Sequence, residues 1–260
     1  MFLKLQNRVL ISQPRINMRI PRLFVNQSLH AGSQVELAQD KAHHIAHVLR
    51  MRIGDSVRLF NDGDEEFDAV LVDLKKKSAV INIEKCTQVK RESPLKIILA
   101  IGISRGQHMD YAIQKAVELG VTEIVPVLTE FGNVKIYADR KDNKLSHWQN
   151  IIINASEQCG RTSLTRLSEP ISYSKFLSIN KTATRLIFHP GNSQTIESVK
   201  IIDNNVILLI GPEGGFSDKE IEMADENGYI KVSLGPRVLR AETAVVAALS
   251  VCQHRWGDLN

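Results

Sequence analysis

Arg240 and Glu242 stand two residues apart in the stretch Leu234-Gly235-Pro236-Arg237-Val238-Leu239-Arg240-Ala241-Glu242-Thr243-Ala244, directly after the strand-like Tyr229-Ile230-Lys231-Val232-Ser233. Such a pair can serve a transfer reaction. A guanidinium stabilises negative charge that develops on oxygen, and a carboxylate accepts a proton or holds a loop in place. A second loop, Gly211-Pro212-Glu213-Gly214-Gly215-Phe216, follows the most apolar run of the chain, Val206-Ile207-Leu208-Leu209-Ile210. Glycines let a ligand approach bare backbone, and turns at the C-terminal ends of buried strands are where open α/β sheets place their ligands. The two loops are therefore expected to form opposite walls of one cofactor pocket. The competing reading is plainer: two ordinary strand-end turns, with Glu242 complementing the dipole at a helix N-terminus.

Phosphate ligands fit these loops poorly. A P-loop needs Lys and Ser or Thr after its second glycine, whereas here the glycines surround Glu213, which repels a phosphate. The dinucleotide signature G-x-G-x-x-G is missing too, since Gly102 and Gly106 do not fit its spacing. A phosphate-free ligand carrying an amine or a sulfonium suits the carboxylates better, and S-adenosyl-L-methionine is such a ligand. Leu234, Val238 and Leu239 would cover its adenine, while loop amides and carbonyls supply hydrogen bonds.

The elements that must position these loops follow from periodicity. Strands are expected at Ser56 to Phe60, Glu66 to Leu74 and Ser78 to Glu84, separated by Asn61-Asp62-Gly63 and Lys75-Lys76-Lys77; a helix at Asp40 to Leu49, with Asp40 as N-cap, precedes them. Short strands with tight turns indicate a small β-barrel or sandwich. Lys90-Arg91-Glu92-Ser93-Pro94 breaks the pattern and marks a domain boundary. Beyond it, strands (Leu95 to Ile101, Glu123 to Leu128, Arg185 to His189, Val206 to Ile210, Ile230 to Leu234) alternate with helices. The helices are Met109 to Leu119, Leu145 to Cys159, one opened by the capping box at Ser217-Asp218-Lys219-Glu220, and Glu242 to Arg255. Alternation of this kind predicts an α/β domain with a mainly parallel sheet covered on both faces. Pro126 inside its strand points to an edge or a strand end.

The motifs resemble the knotted SPOUT-class methyltransferases and, more closely, the RsmE family, which methylates N3 of a uridine in small-subunit (16S) ribosomal RNA. Besides both glycine loops, the resemblance rests on Met18-Arg19-Ile20-Pro21-Arg22, His47-Val48-Leu49-Arg50-Met51, Gln114-Lys115-Ala116-Val117-Glu118-Leu119-Gly120-Val121, Glu157-Gln158-Cys159-Gly160-Arg161 and His189-Pro190. It spans nearly all of Met18 to Asn260. It implies a PUA-like RNA-binding β-barrel over residues 18–92 and a SPOUT methyltransferase domain with a trefoil knot over 93–260, in a homodimer acting on 16S rRNA within the 30S subunit. Residues 1–17 precede the usual family start and are read as an N-terminal extension. The resemblance further implies cofactor binding by His189, Ile210, Gly211, Pro212, Glu213, Gly214, Leu234, Gly235, Val238, Leu239, Thr243 and Ala244, with Arg240 and Glu242 as catalytic residues. RNA contacts are expected from Arg19, Arg22, Arg50, Arg52, Lys115 and Arg161.

Several of these residues have plainer alternatives. Glu157 and Arg161 could form an i, i+4 ion pair, Lys115 and Glu118 a solvated helix face, and the scattered arginines could serve solubility alone. His43 and His47 share the spacing of a metal pair, but no third ligand accompanies them, so no metal is expected. With 33 basic and 29 acidic residues among 260, the charge of +4 is compatible with RNA without establishing it. Three scattered cysteines form no framework and suit a reducing, cytoplasmic setting. No apolar run approaches the ~18 residues of a membrane span, so no membrane partner is expected. Rival functions are ribose 2′-O-methylation on the same fold, or a non-catalytic rRNA-binding assembly factor.

Overall fold

The computed structural model describes residues 20–132, 138–179, 182–191 and 194–259. The expected extension, residues 1–17, and Arg19 lie outside this range.

The N-terminal part is a five-stranded sheet in the order β1-β3-β4-β5-β2. It contains β1 (Arg22–Phe24), β2 (Gln34–Leu37), β3 (Ser56–Phe60), β4 (Glu65–Leu74) and β5 (Ala79–Gln88). All pairings are antiparallel except β1 with β3. Irregularities at Asp68/Ala69 and Leu71/Asp73 bend the long β4–β5 hairpin, and bulges of this kind curl a sheet. Alternate residues such as Val57, Leu59, Phe67, Leu71, Ile81 and Ile83 turn inward and are buried. The path is open, with β1 and β2 at its ends, so the expected barrel is a curled sheet rather than a closed one. The helix expected from Asp40 begins one residue earlier, as α1 (Gln39–His43), behind an extended Ala38 with no side-chain cap. Asp40 thus sits in the first turn, where its charge complements the helix dipole. The remainder, His44–Val48, widens into a π-helical turn.

The second sheet is parallel throughout, in the order β12-β10-β11-β6-β7-β8, with β9 also against β7. Its strands are β6 (Lys96–Gly102), β7 (Glu123–Leu128), β8 (Arg166–Leu167), β9 (Ile171–Ser172), β10 (Thr184–Phe188), β11 (Asn205–Ile210) and β12 (Ile230–Val232). Burial on both faces explains the unbroken apolar runs. Val206, Leu208 and Ile210 pack with α2 (Gly106–Glu118), α3 (Ala138–Cys159) and α6 (Ala241–Trp256), while Ile207 and Leu209 pack with α4 (Tyr173–Leu177) and α5 (Asp218–Glu226). Pro126 is not on an edge strand. Ile124 accepts a hydrogen bond from Ser168 N–H on the outer side of β7. Pro126, two residues on, points the same way, into the break between β8 at Glu123–Ile124 and β9 at Val127–Leu128. Its missing N–H is therefore not needed by any ladder.

The segment between the sheets is pinned rather than loose. Arg91 Nη1 donates to Glu66 Oε1 (3.0 Å) and to the Gly160 carbonyl (2.7 Å), and Ser93 Oγ donates to Gln253 Oε1 (2.8 Å). No helix among the described residues is long and apolar enough to cross a membrane.

Candidate cofactor and active site

Strands in a parallel sheet all end on one edge, so the loops after β6, β10, β11 and β12 gather together. They enclose a cavity of about 550 Å³, within the usual range for a small-molecule site. Both glycine loops line it.

The first loop owes its shape to buried anchors. Ser217 caps α5 by accepting from Glu220 N–H (3.3 Å), while the Glu220 carboxylate accepts from Ser217 N–H (3.0 Å) and from Glu130 N–H (2.9 Å). Phe216 packs on Tyr173 with ring centroids 5.7 Å apart. Glu213 accepts from the backbone N–H of Arg105 (3.0 Å), which ties the loop to the start of α2. Gly102 closes the other side. A β-carbon there would lie 2.4 Å from Pro212 Cδ and 2.5 Å from Pro212 N. Gly102→Ala is therefore expected to push the Gly211-Pro212 backbone out of place. Such overpacking costs about 1–3 kcal/mol, so cofactor affinity measured by calorimetry should fall roughly 5- to 150-fold.

The second loop leaves β12 and turns at Gly235, whose φ of 95° lies in the left-handed region that favours glycine. It delivers Arg240 as the N-cap of α6 and Glu242 into its first turn. Glu242 Oε1 lies 3.0 Å from His108 Nδ1. Burial pushes the Glu242 carboxyl upward. Hydrogen bonds from its own backbone N–H and from His108, with the nearby charges of His108 and Arg240, outweigh burial and hold it below the usual carboxylate value.

Of the residues singled out in the sequence, His189, Ile210, Gly211, Pro212, Glu213, Leu234, Gly235, Val238, Leu239, Arg240, Glu242 and Ala244 all line the cavity. Gly214 and Thr243 do not. Gly214 backs onto Phe131, whose Cβ would be 2.8 Å from an added β-carbon, and Thr243 is exposed on α6. Sequence reasoning passed over His108, Phe188, Pro190, Gly215, Phe216, Arg237 and Ala241, which also line it. Pro190, Gly215, Phe216, Arg237 and Ala241 lie inside the quoted motifs without having been assigned to the site, and Phe188 directly precedes one. His108 had no sequence signal, because its partner lies 134 positions away.

The expected RNA contacts divide sharply. Arg161 is 6% exposed. It grips Glu92 (2.6 Å) and donates to the carbonyls of Val117 and Val121 and to Thr165 Oγ1. Arg22 is committed to Glu66 and to the carbonyls of Ser156, Glu157 and Arg161. The Arg22 guanidinium ties the N-terminal sheet to the end of α3, the Arg161 guanidinium ties the segment between the sheets to the end of α2, and neither has a free face for a phosphate. Glu157 does not pair with Arg161 at all; it accepts from Phe24 N–H and Lys41. Lys115 holds Glu118 at 2.8 Å in a partly buried i, i+3 ion pair, where the alternative expected was a solvated helix face. Arg50 and Arg52 are exposed, and neither guanidinium has a carboxylate partner among the described residues. The rings of His43 and His47 lie 4.4 Å apart and tilted by 38°, and no cluster of three metal-ligating side chains occurs among the described residues.

The residues present fit a phosphate-free cationic cofactor. Apolar cover comes from Ile210, Leu234, Val238 and Leu239, carboxylates from Glu213 and Glu242, and Glu242 Oε2 is buried without a hydrogen-bond partner among the described residues.

Residues 91–253 match the family model of an RNA methyltransferase domain, and residues 37–84 match that of an RNA methyltransferase PUA domain. The chain is 37% identical to the ribosomal RNA small subunit methyltransferase E of Buchnera aphidicola subsp. Schizaphis graminum over 93% of its own length and 99% of that protein. A putative methyltransferase from Legionella pneumophila, solved with bound cofactor SAM, is 42% identical with a TM-score of 0.91, over 93% of this chain and 100% of that one. The ribosomal RNA small subunit methyltransferase E from Neisseria gonorrhoeae, bound to S-adenosyl methionine, is 34% identical with a TM-score of 0.87, over 93% of this chain and 100% of that one.

Proposed function

The chain belongs to the RsmE family of ribosomal RNA methyltransferases, and from that membership we propose that it methylates N3 of a uridine in 16S ribosomal RNA, using S-adenosyl-L-methionine. The observation that carries this reading is the cavity at the strand ends, apolar on its walls and bordered by both Glu242 and Arg240. The cofactor supplies an electrophilic methyl group on a positively charged sulfur. Ile210, Leu234, Val238 and Leu239 cover its adenine, and the backbone of both loops orients it. Arg240 and Arg237, exposed at the rim, face the incoming base and hold the negative charge that spreads onto its carbonyl oxygens.

The same reading takes the assembled 30S particle as substrate, a homodimer with the implied trefoil knot as the working form, and the cytoplasm as its compartment. Residues 18–92 then form the RNA-binding domain and 93–260 the methyltransferase domain. Nucleoside mass spectrometry of small-subunit RNA from cells lacking the protein tests the chemistry. Loss of one 3-methyluridine is expected. A missing 2′-O-methyl group indicates ribose chemistry instead, and an unchanged profile indicates a non-catalytic assembly factor.

Of the described residues expected to contact RNA, Arg50 and Arg52 are the exposed ones without a carboxylate partner. Each phosphate contact contributes about one unit to the slope of log affinity against log salt. The R50A/R52A double variant should therefore lower that slope by about 2 in filter binding to small-subunit RNA. An unchanged slope removes both residues from the interface.

A further inference from the structure

We propose that His108 is the proton acceptor of the reaction, taking the N3 proton of the target uracil on Nε2 while Glu242 holds the ring through Nδ1. The proposal rests on the substrate reading given above and assigns the group that makes N3 nucleophilic.

His108 lies in the first turn of α2 and lines the cavity beside Arg240 and Glu242. Its side chain is 44% exposed against 14% for Glu242, so the imidazole faces the space an RNA base must enter and the carboxylate stands behind it. An ionised carboxylate only accepts hydrogen bonds, so the proton in the 3.0 Å contact sits on Nδ1, and in the neutral imidazole Nε2 then keeps its lone pair. This is the arrangement in which a buried acid fixes the tautomer of a histidine base and stabilises the imidazolium that forms. Glu242 is a poor base in its own right. Its carboxyl is held below the ordinary value, and a weak base cannot readily take the proton of an imide. Imidazole is the side chain that most often serves as a general base.

The surrounding charges agree with this division of labour. Glu213 is engaged by the Arg105 backbone N–H (3.0 Å) and Asp110 by His147 Nε2 (2.9 Å). Arg237 and Arg240 border the cavity with His189 on its other wall. Glu242 is thus the carboxylate bonded to the His108 ring among the described residues. In the step itself the N3–H bond breaks, its electron pair stays on nitrogen, and the proton moves to Nε2. The N3 pair takes the methyl group, and the electron pair of the broken carbon–sulfur bond remains on sulfur as a neutral thioether. The imidazolium returns its proton to solvent before the next turnover.

The test uses the full chain, as wild type, H108N and H108A, in single-turnover methylation of 30S particles from cells lacking the protein, with products identified by mass spectrometry. Both variants should lose about 100-fold or more in rate while cofactor affinity by calorimetry stays within about twofold. Particles carrying 5-fluorouracil, whose N3 proton is more acidic, should shrink that deficit severalfold, which a purely structural role would not do. Nitrogen-15 NMR of the wild type, with the His108 signal assigned by its loss in H108N, should show the Nδ1–H tautomer. Variant rates within about threefold of wild type, a deficit that fluorouracil leaves unchanged, or an Nε2–H tautomer overturns the proposal. A wild-type product methylated on ribose overturns the substrate reading and this inference together. Full-rate 3-methyluridine formation by H108A overturns this inference alone.

Discussion

Glu66→Ala is expected to destabilise the folded chain by about 3–5 kcal/mol, the usual consequence of leaving buried cations without their partner. The Glu66 side chain is 5% exposed and that of Arg22 is 6% exposed, with Arg22 Nη2 at 2.6 Å from Glu66 Oε1. Arg91 Nη1 reaches the same oxygen at 3.0 Å, and Arg58 approaches the other at 3.7 Å. Burial lowers the pKa of Arg22, and Glu66 opposes that shift. Without Glu66, Arg22 would remain buried over the Phe60 ring with only backbone carbonyls to balance its charge. Because Arg22 and Arg91 also bond to carbonyls at Ser156, Gly160 and Arg161, the loss loosens the N-terminal sheet from α3 as well. Urea unfolding measures the effect. A double variant, R22M/E66L, should recover part of it, since an apolar pair leaves no unmatched charge. A change under about 1 kcal/mol in E66A would show that the network carries little.

Arg240→Ala is expected to lower the methylation rate by about 10²–10³-fold, the range for removing one donor aimed at developing negative charge. Arg240 is exposed at the N-cap of α6 and makes no side-chain cap hydrogen bond, so the helix should survive the change. Affinity for S-adenosyl-L-methionine should move only a few-fold, placing the loss in turnover rather than in binding. Lysine at 240 should recover part of the rate, as it keeps the charge but not the planar fork. Equal losses in rate and cofactor affinity would instead assign Arg240 to shaping the cavity. Glu242→Gln, measured alongside, separates charge from shape, since the amide retains an acceptor for His108 but cannot balance an imidazolium.

Much of the local structure was legible because its causes are local. The Ser217–Glu220 capping box is present as spelled, and Gly120, expected to close a helix, has a φ of 77° just after α2. The parallel sheet followed from apolar runs bounded by helices, and both glycine loops do face one cavity. The start of α3 was missed because Ala138 to Lys144 is largely charged and shows no apolar period. The two-residue strands β8 and β9 are too short for any pattern. Pro126, expected at an edge or a strand end, sits within an inner strand because its tolerance depends on where two later strands stop.

The arginines show where local reasoning ends. Arg22, Arg50, Arg52 and Arg161 look alike in sequence, as scattered cations beside a mild positive charge. Two prove to be buried ties and two exposed cations, and the difference lies mainly in partners 40 or more positions away, such as Val121 and Ser156. Composition, the loop chemistry that excludes phosphate, and the alternation of strand and helix were determined by the sequence itself, since each depends on residue type and near neighbours. The pairing of His108 with Glu242, the wedge of Pro212 against Gly102 and the fate of each arginine were decided only by tertiary structure. These contacts exist because parallel strands bring their C-terminal ends together, and no short-range pattern encodes which ends will meet.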